Sequence, residues 1–271
     1  MTIKLIAIDI DGTLLTSHHQ VTNEVKEALH LAQKQGVKIV LCTGRPYLGV
    51  KKIVQELGLT KEEDYVITYN GSLVLNCKTQ EKISLFGLTH DDYLDVDMMA
   101  RKLGSSLLTE TEEAIYTSNR DISPYTIHEA YLTTMPLKYR TPEEITSDLD
   151  IVKMMMVDDP EKLKVIEEKL PESFRERFTI VKSAPFFLEI LNKEVSKGSA
   201  LKKLAQHLGL TAEEVMAIGD NENDIPMLQY AGLGVAMGNA KEEIKKHAQK
   251  VTKTNDENGV AFALHSYVIR T

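Results

Sequence analysis

The first residues that could do chemistry are two carboxylates that follow an apolar run near the start of the chain. Asp9 and Asp11 lie two residues apart in the stretch Asp9-Ile10-Asp11-Gly12-Thr13. Two like charges at the end of a buried strand are costly unless a cation or a proton offsets them. Asp and Gly also favour turns, so a plain turn is the alternative. A calcium loop is excluded because the later acidic ligands of that motif are missing.

A second acidic group follows another apolar run late in the chain. Asp220 and Asp224 belong to the stretch Gly219-Asp220-Asn221-Glu222-Asn223-Asp224. Carboxylates together with a backbone carbonyl suit a magnesium ion. Asp224 could instead be the N-cap of a helix, but a cap does not explain Asp220 as well. If the two strands are neighbours, Asp220 and Asp9 meet across the strand tips.

Two further sites have the chemistry to bind an anion. Thr43 and Gly44 follow another apolar run, and a hydroxyl beside exposed backbone N–H groups can hold a phosphate. Lys197 lies near the start of a helix, where a cation is unfavourable for the helix dipole and so indicates an anionic partner. Each also has an ordinary interpretation, a strand-to-helix turn for Thr43-Gly44 and a solvated surface side chain for Lys197.

The segments that carry these residues alternate between strand and helix patterns. Apolar, β-branched runs that predict strands buried on both faces cover residues 3–8, 37–41, 65–68 and 214–218. A helix capped by Thr22 and closed by Gly36 is expected between the first two runs. The order β-α-β-α-β predicts a parallel sheet with helices on both faces. Ligands of such sheets bind at the carboxyl ends of the strands, where the polar residues stand.

The pattern changes near residue 82. From there to about residue 190 the predicted elements are shorter and mixed, which indicates an α+β insert. Strands are expected at residues 82–88, 115–117, 151–157 and 186–191, and helices at residues 91–103 and 160–170. We therefore predict an α/β core made of residues 1–82 and 191–271, interrupted by a second domain at residues 83–190. A chain of 271 residues is long enough for two such domains.

Composition narrows the classes of partner. The formal net charge is -8 without a basic stripe, which argues against a nucleic-acid partner. The first apolar run is short and ends in aspartates, and no other run approaches spanning length. We therefore expect no signal peptide, no membrane partner and a cytoplasmic location.

Cys42 and Cys77 match no zinc or disulfide spacing and are expected to be buried free thiols. The oligomeric state cannot be read from the sequence.

The four chemical signals, taken in this order, resemble the haloacid dehalogenase (HAD) superfamily. Its pattern of Asp-x-Asp-x-Thr, then Ser/Thr, then Lys, then Gly-Asp-x-x-x-Asp is met at every position. The insert lies between the second and third signals, where the Cof-like phosphatases of this superfamily carry a C2-type cap. Asn70-Gly71 and the stretches 183–191 and 231–240 also resemble bacterial sugar phosphatases of that subfamily. The resemblance implies a Rossmann-like α/β core with a parallel sheet and an inserted α+β cap domain.

The resemblance also implies that the protein hydrolyses small phosphate monoesters, sugar phosphates above all. Asp9 would attack phosphorus and form an aspartyl phosphate, and Asp11 would act as acid and then base. Mg²⁺ would be held by the Asp9 and Asp220 side chains and the Asp11 main-chain carbonyl. The groups expected to hold phosphoryl oxygens are the Ile10 and Gly44 N–H groups, the Thr43 hydroxyl, Lys197 and Asn223. Asp224 would orient Lys197 or a metal-bound water.

Three other functions stay open at this point. A phosphomutase would pass the phosphoryl group to a second sugar hydroxyl. A phospho-acceptor signalling module would use the same residue types as a non-enzymatic switch, although the chain length, the insert and Asp11 argue against it. A family member without catalysis would keep the cap as a binding surface, and the intact motif set argues against that.

Two sequence features lie outside the catalytic pattern. The run Gly232-x-Gly234-x-x-x-Gly238 has the wrong spacing for a dinucleotide loop and predicts close packing with a tight turn. In the insert, which would act as a lid that excludes water, the candidate substrate contacts are His128, Arg120 and Lys153. A solvated or structural role is the alternative for each of these three.

Overall fold

The computed structural model describes residues 2–269, and the chain forms two compact units. The first contains the stretch that ends at Gly44, then Val50–Ser84, and the stretch that begins at Ser196. The second contains Arg45–Gly49 and Leu85–Val195. These limits lie a few residues from the predicted insert of 83–190, and they add a short segment after Gly44 to the second unit.

The described residues contain fourteen strands and ten α-helices. The strands are β1 (Leu5–Asp9), β2 (Lys38–Cys42), β3 (Tyr65–Thr68), β4 (Leu73–Asn76), β5 (Lys82–Leu85), β6 (Ser106–Glu110), β7 (Ile115–Thr117), β8 (Leu137–Tyr139), β9 (Lys153–Val157), β10 (Phe178–Ala184), β11 (Phe187–Asn192), β12 (Val215–Gly219), β13 (Leu233–Ala236) and β14 (Lys250–Val251). The helices are α1 (Asn23–Lys34), α2 (Tyr47–Glu56), α3 (His90–Leu103), α4 (Pro124–Thr133), α5 (Pro160–Lys169), α6 (Glu172–Arg177), α7 (Lys197–His207), α8 (Ile225–Tyr230), α9 (Glu242–Lys245) and α10 (Gly259–Tyr267). Among these residues, no helix is long and apolar enough to cross a membrane.

The first unit is built on one eight-stranded sheet. Its strand order is β14-β13-β12-β1-β2-β3-β4-β5, and the strands from β14 to β3 run parallel. β4 returns antiparallel to β3. The predicted α/β fold with a parallel sheet is therefore confirmed. Because β12, β1 and β2 are neighbours, the residues that follow them lie at one edge of the sheet.

The central strands form because both of their faces are covered. One face packs on α7 and α8 through an apolar cluster that includes Leu5, Leu201 and Leu228. The other face carries Ile6 and Ile8, which are also fully buried. Such continuous apolar runs are typical of buried parallel strands. Because both faces are packed, the ends of these strands are held in place, and so are the polar residues that follow them.

Helix α1 begins and ends as its sequence predicts. The Thr22 side chain accepts a hydrogen bond from the Val25 N–H at 3.3 Å and caps the helix. The helix ends at Lys34, and Gly36 follows with a φ of 83°, a conformation that glycine adopts without strain.

The second unit is built on a six-stranded sheet of order β10-β11-β9-β6-β7-β8, antiparallel except between β7 and β8. One face packs on α3, α5 and α6 through a cluster that includes Tyr93, Met154 and Leu163. The opposite face packs on α4 through a second cluster that includes Leu108 and Met155. Alternate residues of β9 therefore point into two separate cores.

The sequence patterns miss part of this architecture. Residues 83–85, which were placed with the insert, belong to β5 at the edge of the first sheet. The elements without a prediction are β4, β6, β8, β10, β14, α4, α6, α9 and α10. The glycine run, in contrast, is confirmed as close packing: a Cβ on Gly238 would lie 2.8 Å from the Thr254 nitrogen, and one on Gly232 would lie 2.6 Å from the Glu213 Cα.

Candidate active site

The predicted site residues meet at the carboxyl edge of the first sheet. Ile8 is paired with Ile218 and Asp9 with Cys42, so the ends of β12, β1 and β2 lie side by side. Asp9, Thr43 and Asp220 follow directly at these ends. The prediction that Asp220 would meet Asp9 across neighbouring strand tips is confirmed.

Lys197 is the centre of this group. Its Nζ donates to Oδ1 of Asp9 and to Oδ1 of Asp224, each at 2.6 Å, and its side chain is fully buried. The helix that carries it is capped by Ser196, whose Oγ accepts from the Ser199 N–H at 3.0 Å. The alternative of a solvated surface lysine is therefore wrong.

Asp224 is fixed from both sides. While Oδ1 binds Lys197, Oδ2 accepts from the N–H groups of Asp220 at 2.9 Å and Asn221 at 3.0 Å. Asp224 does occupy the N-cap position of α8, as the alternative interpretation predicted, but its side chain makes no cap bond to that helix. A Cβ on Gly219 would lie 2.5 Å from the Asp224 Cβ, so the residue before Asp220 has to be small.

Asp220 is held by the loop that follows β1. The Thr13 hydroxyl donates to its Oδ1 at 2.8 Å. Gly12 has a φ of +83°, and a Cβ there would lie 2.5 Å from Asp220 Oδ2. The glycine of the Asp-x-Asp-Gly-Thr motif therefore lets the loop approach the carboxylate closely.

Burial and charge shift the protonation of this group. Burial, and then the charge of Asp224, raise the pKa of Asp9 well above its usual range, although Lys197 opposes the shift. Burial also raises the pKa of Asp220 to about 6. Although burial alone would lower the pKa of Lys197, the carboxylates of Asp224 and Asp9 raise it above its ordinary value. Lys197 therefore stays protonated, and its single positive charge does not balance the negative charges of the nearby carboxylates.

The donor set fits a divalent cation. Asp9, Asp220 and Asp224 each offer an oxygen, and these oxygens lie within 4.8 Å of one another. With oxygens this close together, the carboxylates of Asp9 and Asp220 repel each other unless a proton or a cation offsets their charge. Asp224 already uses both oxygens, which makes Asp9 and Asp220 the better ligands. Oxygen-only donors suit Mg²⁺.

Asp11 lies outside this carboxylate group. Its side chain is exposed, and its backbone forms an isolated bridge with Leu15. The preceding residue, Ile10, is fully buried and links Asp9 to this loop. Asp11 is therefore set by the loop backbone, next to the buried Asp9.

Three of the predicted phosphate-binding residues, Thr43, Gly44 and Asn223, lie next to Asn70, which follows β3. The Asn70 N–H donates to the Thr43 carbonyl at 2.9 Å, and its Oδ1 accepts from Asn223 Nδ2 at 2.9 Å. A Cβ on Gly44 would lie 3.1 Å from the Asn70 amide. Asn70 has a φ of 57°, which Asn tolerates better than most residues. From the sequence, Asn70 was noted for the family resemblance of Asn70-Gly71 but was assigned no role.

Cys42 lies one residue before Thr43 and is fully buried. Burial raises the pKa of its thiol far above the usual range, which keeps it protonated. Cys77 is also a buried free thiol, as predicted. Neither residue is available as a nucleophile.

The second unit has its own buried charged cluster. Lys153 Nζ lies 3.5 Å from a carboxylate oxygen of each of Glu110, Glu129 and Glu189. Lys153 is only 2% exposed, so its interpretation as a solvated lysine is wrong. Of the other two candidates in the insert, Arg120 is exposed, and the His128 ring packs against Phe186 with centroids 5.6 Å apart.

Within that cluster, Glu110 is the least satisfied residue. It is fully buried, and neither carboxylate oxygen has a hydrogen-bond partner within residues 2–269. Burial raises its pKa well above the usual range, although the charge of Lys153 opposes the shift.

The family comparison matches nearly the whole chain. The model of the family described as haloacid dehalogenase-like hydrolase matches residues 6–264. YxeH of Bacillus subtilis is 49% identical over 98% of both chains. The 5-amino-6-(5-phospho-D-ribitylamino)uracil phosphatase YcsE of Bacillus subtilis is 33% identical and covers 98% of this chain and 96% of its own.

Solved structures give the same result. A haloacid dehalogenase-like hydrolase from Bacteroides thetaiotaomicron superimposes with a TM-score of 0.86 at 35% identity, covering 98% of this chain and 99% of its own. The HAD subclass IIB sugar phosphatase BT4131 superimposes with a TM-score of 0.79 at 27% identity, covering 97% of this chain and 98% of its own. The similarity in both cases spans both units.

Proposed function

The chain belongs to the haloacid dehalogenase-like hydrolases, and from this premise we propose that it is a magnesium-dependent phosphatase. It would hydrolyse small phosphate monoesters through an aspartyl phosphate on Asp9. The observation that carries the proposal is the buried contact of Asp9 with Lys197 at 2.6 Å, beside Asp220 at the strand tips. A carboxylate held by a buried ammonium is oriented for attack and lies next to the charge that an incoming phosphate needs.

Asp9 would be the nucleophile. One oxygen attacks phosphorus, the bond from phosphorus to the ester oxygen breaks, and the leaving oxygen takes a proton from Asp11. In the second step Asp11 removes a proton from water, which attacks phosphorus and releases inorganic phosphate from Asp9. The exposed position of Asp11 beside the buried Asp9 supports this division of roles.

Asp9, Asp220 and the Asp11 carbonyl would hold the cation. A bound Mg²⁺ lowers the repulsion between the anionic nucleophile and the anionic phosphate. The protein groups proposed to hold phosphoryl oxygens are the Ile10 and Gly44 N–H groups, the Thr43 hydroxyl, Lys197 and Asn223. The bond between Asn223 and Asn70 supports a further role for Asn70, which would orient the Asn223 amide.

The substrate would be a small sugar phosphate or a related polyol phosphate. Two relatives support this class by their names, the sugar phosphatase BT4131 and the ribitylaminouracil phosphatase YcsE. We also propose that the second unit, predicted as an α+β insert at residues 83–190, is a C2-type cap that selects the leaving group and excludes water. A cytoplasmic location stays a prediction.

The test is phosphate release from a panel of sugar phosphates and p-nitrophenyl phosphate, with and without Mg²⁺. We expect Mg²⁺-dependent turnover that falls by roughly 10⁴-fold or more in Asp9→Asn, since removal of a nucleophile has effects of this size. Glu62→Gln, which changes a surface carboxylate paired with Lys78, is the matched control and should keep the native rate.

The panel also separates the alternatives. Isomerised sugar phosphate without phosphate release would identify a phosphomutase. A stable phosphorylated protein without turnover would identify a signalling module. Native protein that binds Mg²⁺ but gives no turnover on any substrate would overturn the proposed phosphatase.

A further inference from the structure

The loop that carries Asp11 is shaped by its own backbone. The Leu14 N–H donates to the Asp9 carbonyl at 3.1 Å, and the Leu15 N–H donates to the Ile10 carbonyl at 2.9 Å. The Asp11 side chain itself is exposed. The backbone contacts of the loop therefore fix the Cα from which the Asp11 side chain extends.

Two asparagines from the end of the chain hold that backbone. Asn239 Nδ2 donates to the Gly12 carbonyl at 2.8 Å, and Asn255 Nδ2 donates to the Leu15 carbonyl at 2.9 Å. The two are joined, because the Asn255 N–H donates to Asn239 Oδ1 at 3.0 Å. We call Asn239 and Asn255 the asparagine clamp.

The orientation of the Asn239 amide follows from its partners. The Gly12 carbonyl can only accept a hydrogen bond, and the Asn255 N–H can only donate one. The amide must therefore point its nitrogen at the loop and its oxygen at Asn255. An alanine at position 239 would remove both bonds at once.

The asparagine clamp is also tied to the strand that presents Asp220. The Met237 N–H donates to the Gly219 carbonyl at 2.9 Å, and the Gly238 N–H donates to the Lys253 carbonyl at 2.9 Å. Asn239 follows directly. One short segment thus connects the end of β12 with the loop beyond β1, the two places that carry the proposed metal and acid residues.

We propose that Asn239, joined to Asn255, is a positioning residue that sets the Asp11 carboxyl relative to Asp9. This inference rests on the proposed phosphatase function. Without the Asn239 donor, the Gly12 carbonyl loses its partner in the clamp, and the peptide beside Asp11 can shift. Displacements of about 1 Å in a catalytic group can cost roughly 10²-fold in rate.

The effect should depend on the leaving group. A sugar alkoxide is a poor leaving group and needs the proton that Asp11 donates, whereas p-nitrophenolate is stable enough to leave without it. Misplacement of Asp11 therefore slows hydrolysis of the sugar phosphate more than that of p-nitrophenyl phosphate. General loosening of the fold would slow both equally.

The experiment compares kcat/KM of the full chain on p-nitrophenyl phosphate and on its best sugar phosphate, at saturating Mg²⁺. The variants are Asn239→Ala and Asn255→Ala. Asp256→Ala is the matched control, because Asp256 Oδ1 accepts from the Ser17 N–H at 2.8 Å and so joins the same two segments farther from Asp11. Thermal unfolding of each variant reports on folding.

For Asn239→Ala we expect a loss of about tenfold or more on the sugar phosphate and less than about threefold on p-nitrophenyl phosphate. Asn255→Ala should show the same selectivity with a smaller loss, and Asp256→Ala should leave the ratio of the two rates unchanged. Equal losses on both substrates, or none, in an active protein would overturn the positioning role alone. Native protein inactive on both substrates would overturn the phosphatase proposal and this inference together.

Discussion

Each unit buries one lysine among three carboxylates, and the two clusters are held in different ways. In the first, Lys197 lies 2.6 Å from both Asp9 and Asp224. In the second, Lys153 lies 3.5 Å from each of its three glutamates, too far for a good hydrogen bond. In both, three carboxylates and one ammonium leave two negative charges when every group is ionised.

The difference comes from where the carboxylates stand on their sheets. Asp224 lies beyond a strand end, where two backbone N–H groups are available to it. Glu110 and Glu189 lie within β6 and β11, and each of these strands pairs with β9. Backbone donors at a strand tip therefore fix the first cluster, whereas Glu110 has none. The proposed phosphoryl transfer would need the arrangement around Lys197, because charges that are already in position do not have to rearrange during the reaction.

The largest expected effect separates the two lysines by function. Lys197→Met should lower kcat/KM for phosphate esters by about 10³-fold or more, because the variant loses the buried cation beside Asp9, the proposed nucleophile. Lys4→Met is the control, since Lys4 pairs with Glu214 at the same 2.6 Å distance but is exposed. Initial rates of phosphate release decide the result. A Lys197→Met rate within tenfold of the native rate would leave this lysine a structural role only.

The next effect concerns the stability of the second cluster. Lys153→Met leaves three buried carboxylates without a cation and should destabilise the protein by about 3–5 kcal/mol at neutral pH. The loss should shrink toward acid pH as the carboxyls take up protons. Urea unfolding followed by circular dichroism at several pH values measures it. A loss that does not change with pH would contradict the account of this cluster.

A smaller effect concerns how the first cluster offsets its excess negative charge. Burial raises the pKa of Asp220 to about 6, and Mg²⁺ needs the ionised carboxylate. Below about pH 6 Asp220 holds a proton, so Mg²⁺ affinity should fall by about tenfold per pH unit as the pH decreases. Calorimetric titration with Mg²⁺ between pH 8 and 5 tests this expectation. Unchanged affinity across that range would argue against Asp220 as a ligand.

The smallest effect concerns Glu110, whose pKa is raised by burial. A carboxyl with a raised pKa in the folded state favours folding below its unfolded pKa, and this contribution is lost as pH rises through the folded value. Glu110→Gln mimics the protonated form, so it should stabilise the protein by about 1 kcal/mol at neutral pH and by nothing in acid. Thermal unfolding at both pH values checks the sign. A Gln variant that is less stable at neutral pH would show that Glu110 is ionised there.

The sequence predicted the first cluster well because simple rules apply to its parts. Apolar β-branched runs identify the buried strands, and parallel neighbours bring Asp9, Thr43 and Asp220 to one edge. The burial of Lys197 could not be read from the sequence, since a lysine at the start of a helix is usually solvated. Asn239 lay in a stretch noted for its resemblance, but its contact with Gly12 joins residues 227 positions apart.

The second unit was harder to predict because its pattern is mixed. Helix α4 buries Thr126, Glu129 and Thr133, so its inward face does not look apolar. Strand β10 is largely half-buried and contains Lys182 and Ser183. A charged residue at a buried strand position, such as Glu110 in β6, breaks the pattern that predicts a strand. These polar groups are satisfied by tertiary contacts, and such contacts cannot be read from the sequence alone.

The most direct test of the account is to find the phosphoryl group on Asp9. Native protein mixed with its best substrate and Mg²⁺ is quenched in acid and reduced with borohydride, which converts an aspartyl phosphate to homoserine. Peptide mass spectrometry then reads position 9. We predict homoserine at position 9 in native protein and none in Asp9→Asn. An actively hydrolysing native protein that never carries the modification at Asp9, or carries it at another residue, would contradict the assignment of Asp9 as the nucleophile.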